Sequence, residues 1–366
     1  MAETRSETNR ITVVFLLYHA PRFVAGLVEA TLRQRHPRFP RAADWLCVMF
    51  VDNGSTDDTG RILAEEVAKA GSPPHWRIVT HTPNLGYAGA VNRAFRLAET
   101  PYALTCHCDC LFGSEEYVAT MLDLLERHPR AAAITGQPAF PAGRPLPFAE
   151  KVNLVANLMD VFPAETSDEL VPVGFAEGRC DAFRLEAVRA AGYYDTSHHS
   201  AGEDQILSAR MRAAGYEVYQ APRLSYLLSV SDEQDTVGKL VRHTELFGEK
   251  HPILIFRGGA GAGALGGPAG ANRRARSLLR FSHLAAVFAY LAFPLGLLAG
   301  GSLVVALLPL GAAFLLKASL FARHLRAVRF SPRELLGFVV LQPVLDAAYT
   351  WGFVRGLWYA LRGRWS

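Results

Sequence analysis

Apolar positions along the chain fall into short unbroken runs separated by amphipathic stretches. Residues 11–17, 45–51, 76–80, 102–108 and 131–136 are dense in branched, aromatic and small apolar side chains and read as buried strands. Between them, residues 23–35, 57–70, 88–98 and 115–127 place apolar side chains at helical spacing. Strands alternating with helices of that length predict right-handed βαβ units and an α/β domain with a mostly parallel central sheet. In such sheets ligands bind beyond the C-terminal ends of the strands. The residues found there are Tyr18 and His19, Asp52, the stretch 81–86, and the stretch 107–109.

The pattern changes near residue 257. Residues 258–270 are almost entirely Gly and Ala, lack the Gly-Lys-Ser/Thr ending of a phosphate loop, and read as a flexible linker. Residues 284–316 then contain no charged side chain, more than the ~20 apolar residues that cross a bilayer once. Pro294, Gly300, Gly301 and Pro309 interrupt this run, which predicts a hairpin of two membrane helices over 281–299 and 302–321. Residues 335–361, with Asp346, Arg355 and several aromatics, suit an interfacial helix or a third, imperfect span. The expected organisation is a disordered N-terminus (1–10), an α/β domain (11–256), a linker (257–272) and a membrane-associated helical region (273–366).

Charge sharpens this division. From Arg273 onward there are 12 Lys and Arg against two acids, Glu334 and Asp346, so a chain of net charge +4 combines an acidic body with a strongly basic tail. Arg273, Arg274, Arg276 and Arg280 precede the apolar run, and Lys317, Arg323, Arg326 and Arg329 follow it. Cations at both ends of a hairpin place both ends on the cytoplasmic side. The basic residues accompany apolar helices and not a soluble face, which argues against nucleic acid and for anionic lipid. Residues 1–10 are polar and no signal peptide is expected. Five cysteines without a framework spacing suit a reducing compartment.

The chemistry-bearing stretch is Asp52-Asn53-Gly54-Ser55-Thr56-Asp57-Asp58-Thr59, at the tip of the second strand. Ser55 with Asp58 three residues on resembles a capping box, so part of the pattern is a helix start. Asp52 is not required for that cap and is available to bond a ribose or a base.

Four segments together resemble family-2 glycosyltransferases of the GT-A fold, over roughly residues 11–250. They are Leu17-Tyr18-His19; the stretch from Val51 to Asp57; Asn84-Leu85-Gly86-Tyr87 continuing to Asn92; and Gly192-Tyr193-Tyr194-Asp195 followed by Gly202-Glu203-Asp204. The resemblance implies a GT-A-type nucleotide-sugar-binding domain and an inverting hexosyl transfer from a nucleotide-diphosphate donor. Tyr18, Asp52, Asn84, Gly86 and Asn92 would lie on the donor side; Asn84 and Asn92 have ordinary alternatives as a turn former and a loop-bonding helix residue. Asp204 matches the family's general base, with Glu203 holding the loop or contacting the acceptor. Acids in a first helical turn are also simply favourable there.

One departure matters. The family carries Asp-x-Asp after the fourth strand to hold Mg²⁺ or Mn²⁺, whereas this chain has Cys106-His107-Cys108-Asp109-Cys110. Asp109 survives and His107 takes the first position, either as a metal ligand or as a hydrogen bonder in the donor site. One carboxylate plus diphosphate oxygens suffices for Mg²⁺, and an imidazole shifts preference toward Mn²⁺. Alternate extended residues stand ~6–7 Å apart, too far for one tetrahedral zinc site. No Gln-x-x-Arg-Trp follows Asp204, so the resemblance points to transfer of one or a few sugars and not to polymerisation. The expected acceptor is a lipid-linked or cell-envelope glycan at the cytoplasmic face of the membrane. A catalytically silent scaffold of the same fold and a nucleotidyltransferase are the alternatives. The second lacks a Gly-rich basic loop after the first strand.

Overall fold

The computed structural model describes residues 11–139, 146–158, 169–196, 202–228, 236–257, 272–299 and 302–362. The chain divides into two compact units, one from residues 1–142 and 163–229, the other from 143–162 and 230–365. Of the expected linker (257–272), residues 258–271 lie outside the described residues.

In the first unit, β1 (Ile11–Leu17), β2 (Cys47–Asp52), β3 (Trp76–Thr80) and β4 (Tyr102–His107) lie parallel in the order β3-β2-β1-β4. Helices α1 (Pro21–Leu32), α2 (Thr59–Lys69) and α3 (Gly86–Leu97) connect them, and α4 (Tyr117–Arg127) follows. The expectation of an α/β unit with a largely parallel core holds. Val13, Phe15, Val48, Phe50 and Leu104 are all buried, as continuous apolar runs require when both faces of a sheet are covered.

Past β4 the sheet turns mixed. It adds β5 (Cys110–Phe112), β6 (Ala131–Ala139), β7 (Val171–Pro172), β8 (Cys180–Arg184) and β9 (Glu217–Leu228). β8 runs antiparallel between β4 and β6, and the order continues β6-β9-β5, with β7 on β9. Apart from β6, these strands escape a periodicity reading for a physical reason. β8 carries a buried Asp181, and β9 contains Pro222 and Arg223 and pairs with β6 through register shifts. Because Cys106 pairs with Cys180, the residues entering β8 reach the edge where the parallel strands end. The remaining helices of this unit are α6 (Leu185–Ala190) and α7 (Glu203–Ala213), and between α4 and α6 in sequence α5 (Phe148–Ala156) belongs to the other unit.

That second unit is helical: α5, α8 (Val237–Arg257), α9 (Asn272–Leu298), α10 (Leu303–Val328) and α11 (Pro332–Leu361). Three stretches, Leu278–Leu298, Leu303–Val328 and Pro332–Leu361, are long and apolar enough to cross a membrane. Pro294 and Pro309 lie inside α9 and α10 and do not end them, and the third segment is a full 30-residue helix. Ser331 and Glu334 start α11 with a reciprocal capping box.

α8 packs against α11 backbone to backbone. A Cβ at Gly248 would overlap the Tyr349 carbonyl, and one at Gly352 or Gly356 would overlap the carbonyls of Glu245 and Glu249. Arg355 closes the seam, with Nε 2.7 Å from Glu249 and a terminal nitrogen 2.7 Å from Glu245. Asp346, fully buried, takes hydrogen bonds from Tyr290 at 2.8 Å and from Lys317, and lies 2.6 Å from His283, so α9, α10 and α11 each supply part of one polar cluster.

Gly352→Leu forces bulk into the α8–α11 seam, and overpacking of this kind costs about 1–3 kcal/mol or more. Gly311 has nothing within 4 Å of a built Cβ. Thermal unfolding of the detergent-solubilised protein should show a lowered midpoint for Gly352→Leu and little change for Gly311→Leu.

Candidate active site

The tips of β1, β2 and β4 place Tyr18, Asp52 and His107 along one edge of the sheet. At the β2 tip, Asp52 is 4% exposed and its Oδ1 accepts the Ser55 backbone N–H at 3.0 Å. This corrects the capping expectation. Ser55 does not cap α2; its hydroxyl accepts the His19 backbone N–H at 3.0 Å, while Asp57 accepts from the Thr59 backbone and hydroxyl at the start of α2. Asp52 therefore uses one carboxylate oxygen to shape the turn. The Tyr18 ring is half-exposed and stacked on His19 at 4.2 Å, and the His19 Nε2 accepts the Thr56 N–H at 3.2 Å.

Asn53 organises the next loop. Its amide nitrogen donates to Asn84 Oδ1 at 2.9 Å and to the Gly86 carbonyl at 3.2 Å. Its carbonyl accepts the Leu85 N–H at 3.0 Å and lies 3.2 Å from His81 Nδ1. Burial lowers the His81 pKa, so the ring stays neutral. Asn84 Oδ1 also accepts the Gly86 N–H at 2.7 Å. Gly86 has φ +69° with open space where a Cβ would stand, so the backbone conformation demands glycine there and the space above it remains available to a ligand.

Asn92 takes the second of its two readings, that of a helix residue bonding a loop. Its amide donates to the Tyr194 carbonyl and accepts the Tyr194 N–H, both at 2.9 Å. With one bond donated and one accepted, it holds the Tyr193–Tyr194 loop to α3. Tyr194 is itself buried, and Tyr193 lies beneath the Arg96 guanidinium at 4.3 Å.

Tyr87, absent from the candidate residues, sits at the centre. Its hydroxyl donates to the Gly178 carbonyl at 3.0 Å, and its ring lies 5.0 Å from His107 and 5.8 Å from Tyr194. The signal was available in the Gly86-Tyr87 step: the residue after a left-handed turn at a helix start must point somewhere, and here it spans the site.

On the far side, α7 begins after Gly202, at φ +101°, with Glu203 and Asp204 in its first turn. Asp204 Oδ1 accepts the Gln205 N–H at 2.8 Å. Burial, and after it the adjacent Glu203 carboxylate, raise the Asp204 pKa well above the usual carboxylate range. Beneath the site Asp181 is fully buried, its carboxylate accepting the Gly178 N–H, and burial raises its pKa to about 7.

His107 and Asp109 remain close neighbours at the end of β4. Burial lowers the His107 pKa, which keeps the imidazole neutral, and its Nε2 is buried with no hydrogen-bond partner. A neutral imidazole with an unused nitrogen beside a carboxylate is a competent pair of metal donors. No cluster of three or more His, Cys, Asp or Glu that could hold a metal ion occurs among the described residues. A cation held by these two residues would have to take its other ligands from a bound diphosphate and water.

Residues 12–190 match the family described as Glycosyl transferase family 2. That stretch is a family-2 glycosyltransferase domain. The chain's relatives include the N-acetylglucosaminyl-diphospho-decaprenol L-rhamnosyltransferases of two Mycobacterium tuberculosis strains, CDC 1551 / Oshkosh and H37Rv. Each is 26% identical over 251 residues, covering 60% of this chain and 76% of the relative. Among solved structures, the mannosyltransferase PcManGT of Pyrobaculum calidifontis, in complex with GDP-Man and Mn²⁺, superposes with a TM-score of 0.63 at 18% identity, covering 95% of this chain and 87% of that one. At that identity the likeness is one of fold. The family match ends before Glu203 and Asp204, so the acidic pair of this glycosyltransferase rests on its own geometry.

Asp181 gives the glycosyltransferase a pH-dependent stability term. Its carboxyl titrates near 7 when folded against an ordinary 3.8. Between those values the folded state holds a proton that the unfolded chain has released. The stabilisation is complete below pH 3.8 and is lost as pH rises to about 7. Asp181→Asn removes that loss. It should raise the melting midpoint at pH 8 relative to wild type by more than at pH 5, with a ceiling of roughly 4 kcal/mol at ~1.4 kcal/mol per pKa unit.

Proposed function

We propose that this glycosyltransferase moves one sugar, or a few, from a nucleotide-diphosphate donor to a lipid-linked glycan acceptor of the cell envelope, working at the cytoplasmic face of the membrane with inversion at the anomeric carbon. The observation that carries the reading is Tyr87, which links the Gly86 loop, His107 at the motif position, and Tyr194 beside the acidic start of α7. Donor-side and base-side groups thus share one short network. The relatives named for a decaprenol-linked acceptor, and three helices apolar enough to cross a membrane, support a lipid-linked substrate.

Tyr18 would stack on the base, and the second oxygen of Asp52 would accept from base or ribose. The open space over Gly86 would take the sugar nucleotide against the N-terminus of α3, where the helix dipole favours anions. Asp109 and His107 would hold a divalent cation, Mg²⁺ or Mn²⁺, whose charge would offset that of the diphosphate. Asp204 would withdraw the acceptor hydroxyl proton as that oxygen attacks C1 opposite the departing nucleotide. Its raised pKa suits a base that must operate near neutrality.

Asp204→Asn should lower kcat by roughly 10²–10⁴-fold, the usual worth of a general base, while donor affinity stays near wild type. Proton NMR of the product should show an inverted anomeric configuration. Turnover close to wild type in Asp204→Asn, or retention of configuration, would remove Asp204 from this role. Activity should rise with pH along a limb above the ordinary carboxylate range. Glu203→Gln should move that limb to lower pH, because removing the neighbouring negative charge eases Asp204 ionisation.

A further inference from the structure

The replacement of the first motif carboxylate by His107 leaves a charge question at the donor site, and the strand opposite answers it. β4 and β8 pair antiparallel with Cys106 facing Cys180. One step on, the His107 N–H donates to the Arg179 carbonyl at 2.8 Å, which makes His107 and Arg179 opposite residues with side chains on the same face. A cation therefore stands across the ladder from the position where the family carries an acid.

The base of this arginine is firmly held. The carbonyl of the preceding Gly178 accepts from the Tyr87 hydroxyl and from the Thr105 hydroxyl, each at 3.0 Å, and the Gly178 N–H donates to Asp181. Gly178 has φ +76°, and a Cβ there would overlap the Tyr87 hydroxyl, so the turn entering β8 is shaped around the tyrosine at the centre of the site. The Arg179 side chain is 30% exposed, and its ion pair with Glu177 is long, at 3.8 Å. That separation is at the outer limit of an ion pair. It contrasts with Arg355, whose nitrogens stand 2.7 Å from two carboxylates in the helical unit. Arg179 is thus fixed at its backbone and only weakly engaged at its head.

We propose that Arg179 binds the diphosphate of the donor directly, sharing with the cation at Asp109 and His107 the neutralisation of the departing nucleotide. This rests on the nucleotide-diphosphate reading of the site. A guanidinium presents two parallel N–H donors matched to phosphate oxygens and stays charged at every physiological pH. Exchanging an acid for an imidazole removes a carboxylate from this edge, and the arginine supplies a permanent positive charge there. Donor binding should therefore survive removal of the metal, which a site neutralised by a cation alone would not permit.

Calorimetric titration of the detergent-solubilised full chain tests this, using UDP, GDP and dTDP, each with Mn²⁺ and with EDTA, and the matching nucleosides as controls. Wild type should bind one of the three diphosphates in EDTA within about tenfold of its affinity in Mn²⁺. Arg179→Met should weaken diphosphate binding in EDTA by about 10–100-fold, the worth of a hydrogen bond to a charged group. Nucleoside binding should be unchanged, and Arg179→Lys should restore part of the loss. An effect on nucleoside and diphosphate alike would mark a merely structural residue and overturn the proposal. So would wild-type binding that vanishes in EDTA, or Arg179→Met binding the diphosphate as wild type does in EDTA. Failure of all three diphosphates to bind folded wild type, with Mn²⁺ present, would remove the donor-site reading itself and Arg179 with it.

Discussion

The strand-tip side of the site depends on one side chain, the carboxamide of Asn53. It stands at the end of a buried strand and spends its donor and its acceptor on the loop that opens α3, reaching Asn84, Leu85, Gly86 and His81. A buried amide satisfied on both ends is costly to disrupt, because each lost partner leaves an unpaired group behind. Gly54 adds to the closure: a Cβ there would stand 3.0 Å from the Asn84 backbone nitrogen. The strand-tip acid and the glycine loop are therefore one object, and Asp52 and Gly86 keep a fixed relation without touching each other.

From that anchored loop the network runs through Tyr87 to the rest of the site. The ring and hydroxyl contact His107, Tyr194 and the Gly178 turn, so the loop opening α3, the end of β4 and the entry to β8 are joined through one side chain. Burial explains the electrostatics of this neighbourhood. Carboxyls at Asp181 and Asp204 are pushed up and the imidazoles of His81 and His107 pushed down, each toward its neutral form, as desolvation requires. Against that background a permanently charged guanidinium at Arg179 carries more weight than its count of one implies.

The helical unit solves a different problem. Its helices present apolar faces, and specificity between them comes from a few polar and small residues. Asp346 gathers groups from two other helices, and isolating that carboxylate in apolar surroundings without them would be prohibitive. Glycines let α8 lie directly on α11, with Arg355 joining the two through a pair of glutamates. Close backbone approach at small residues is the usual means of packing where no hydrophobic drive operates between helices.

Much of this was written in local pattern. The parallel strands, their connecting helices and the apolar tail followed from periodicity and run length, and Asp52, Gly86 and the acidic start of α7 followed from motif spacing. These are legible because each depends on residues near one another in the chain. What pattern could not settle were pairings between distant segments. That the loop bonded by Asn92 is the one at Tyr194 emerged only from the fold, and Ser55 was a cap until His19 claimed its hydroxyl. Arg179 was one arginine among many until β8 turned antiparallel and set it opposite His107. The sequence alone determined the glycosyltransferase fold and the edge of the sheet where its chemistry lies. The tertiary structure alone decided which polar groups there are spent on the protein and which remain for a substrate, because a hydrogen-bonding group's availability depends on partners that the linear order does not reveal.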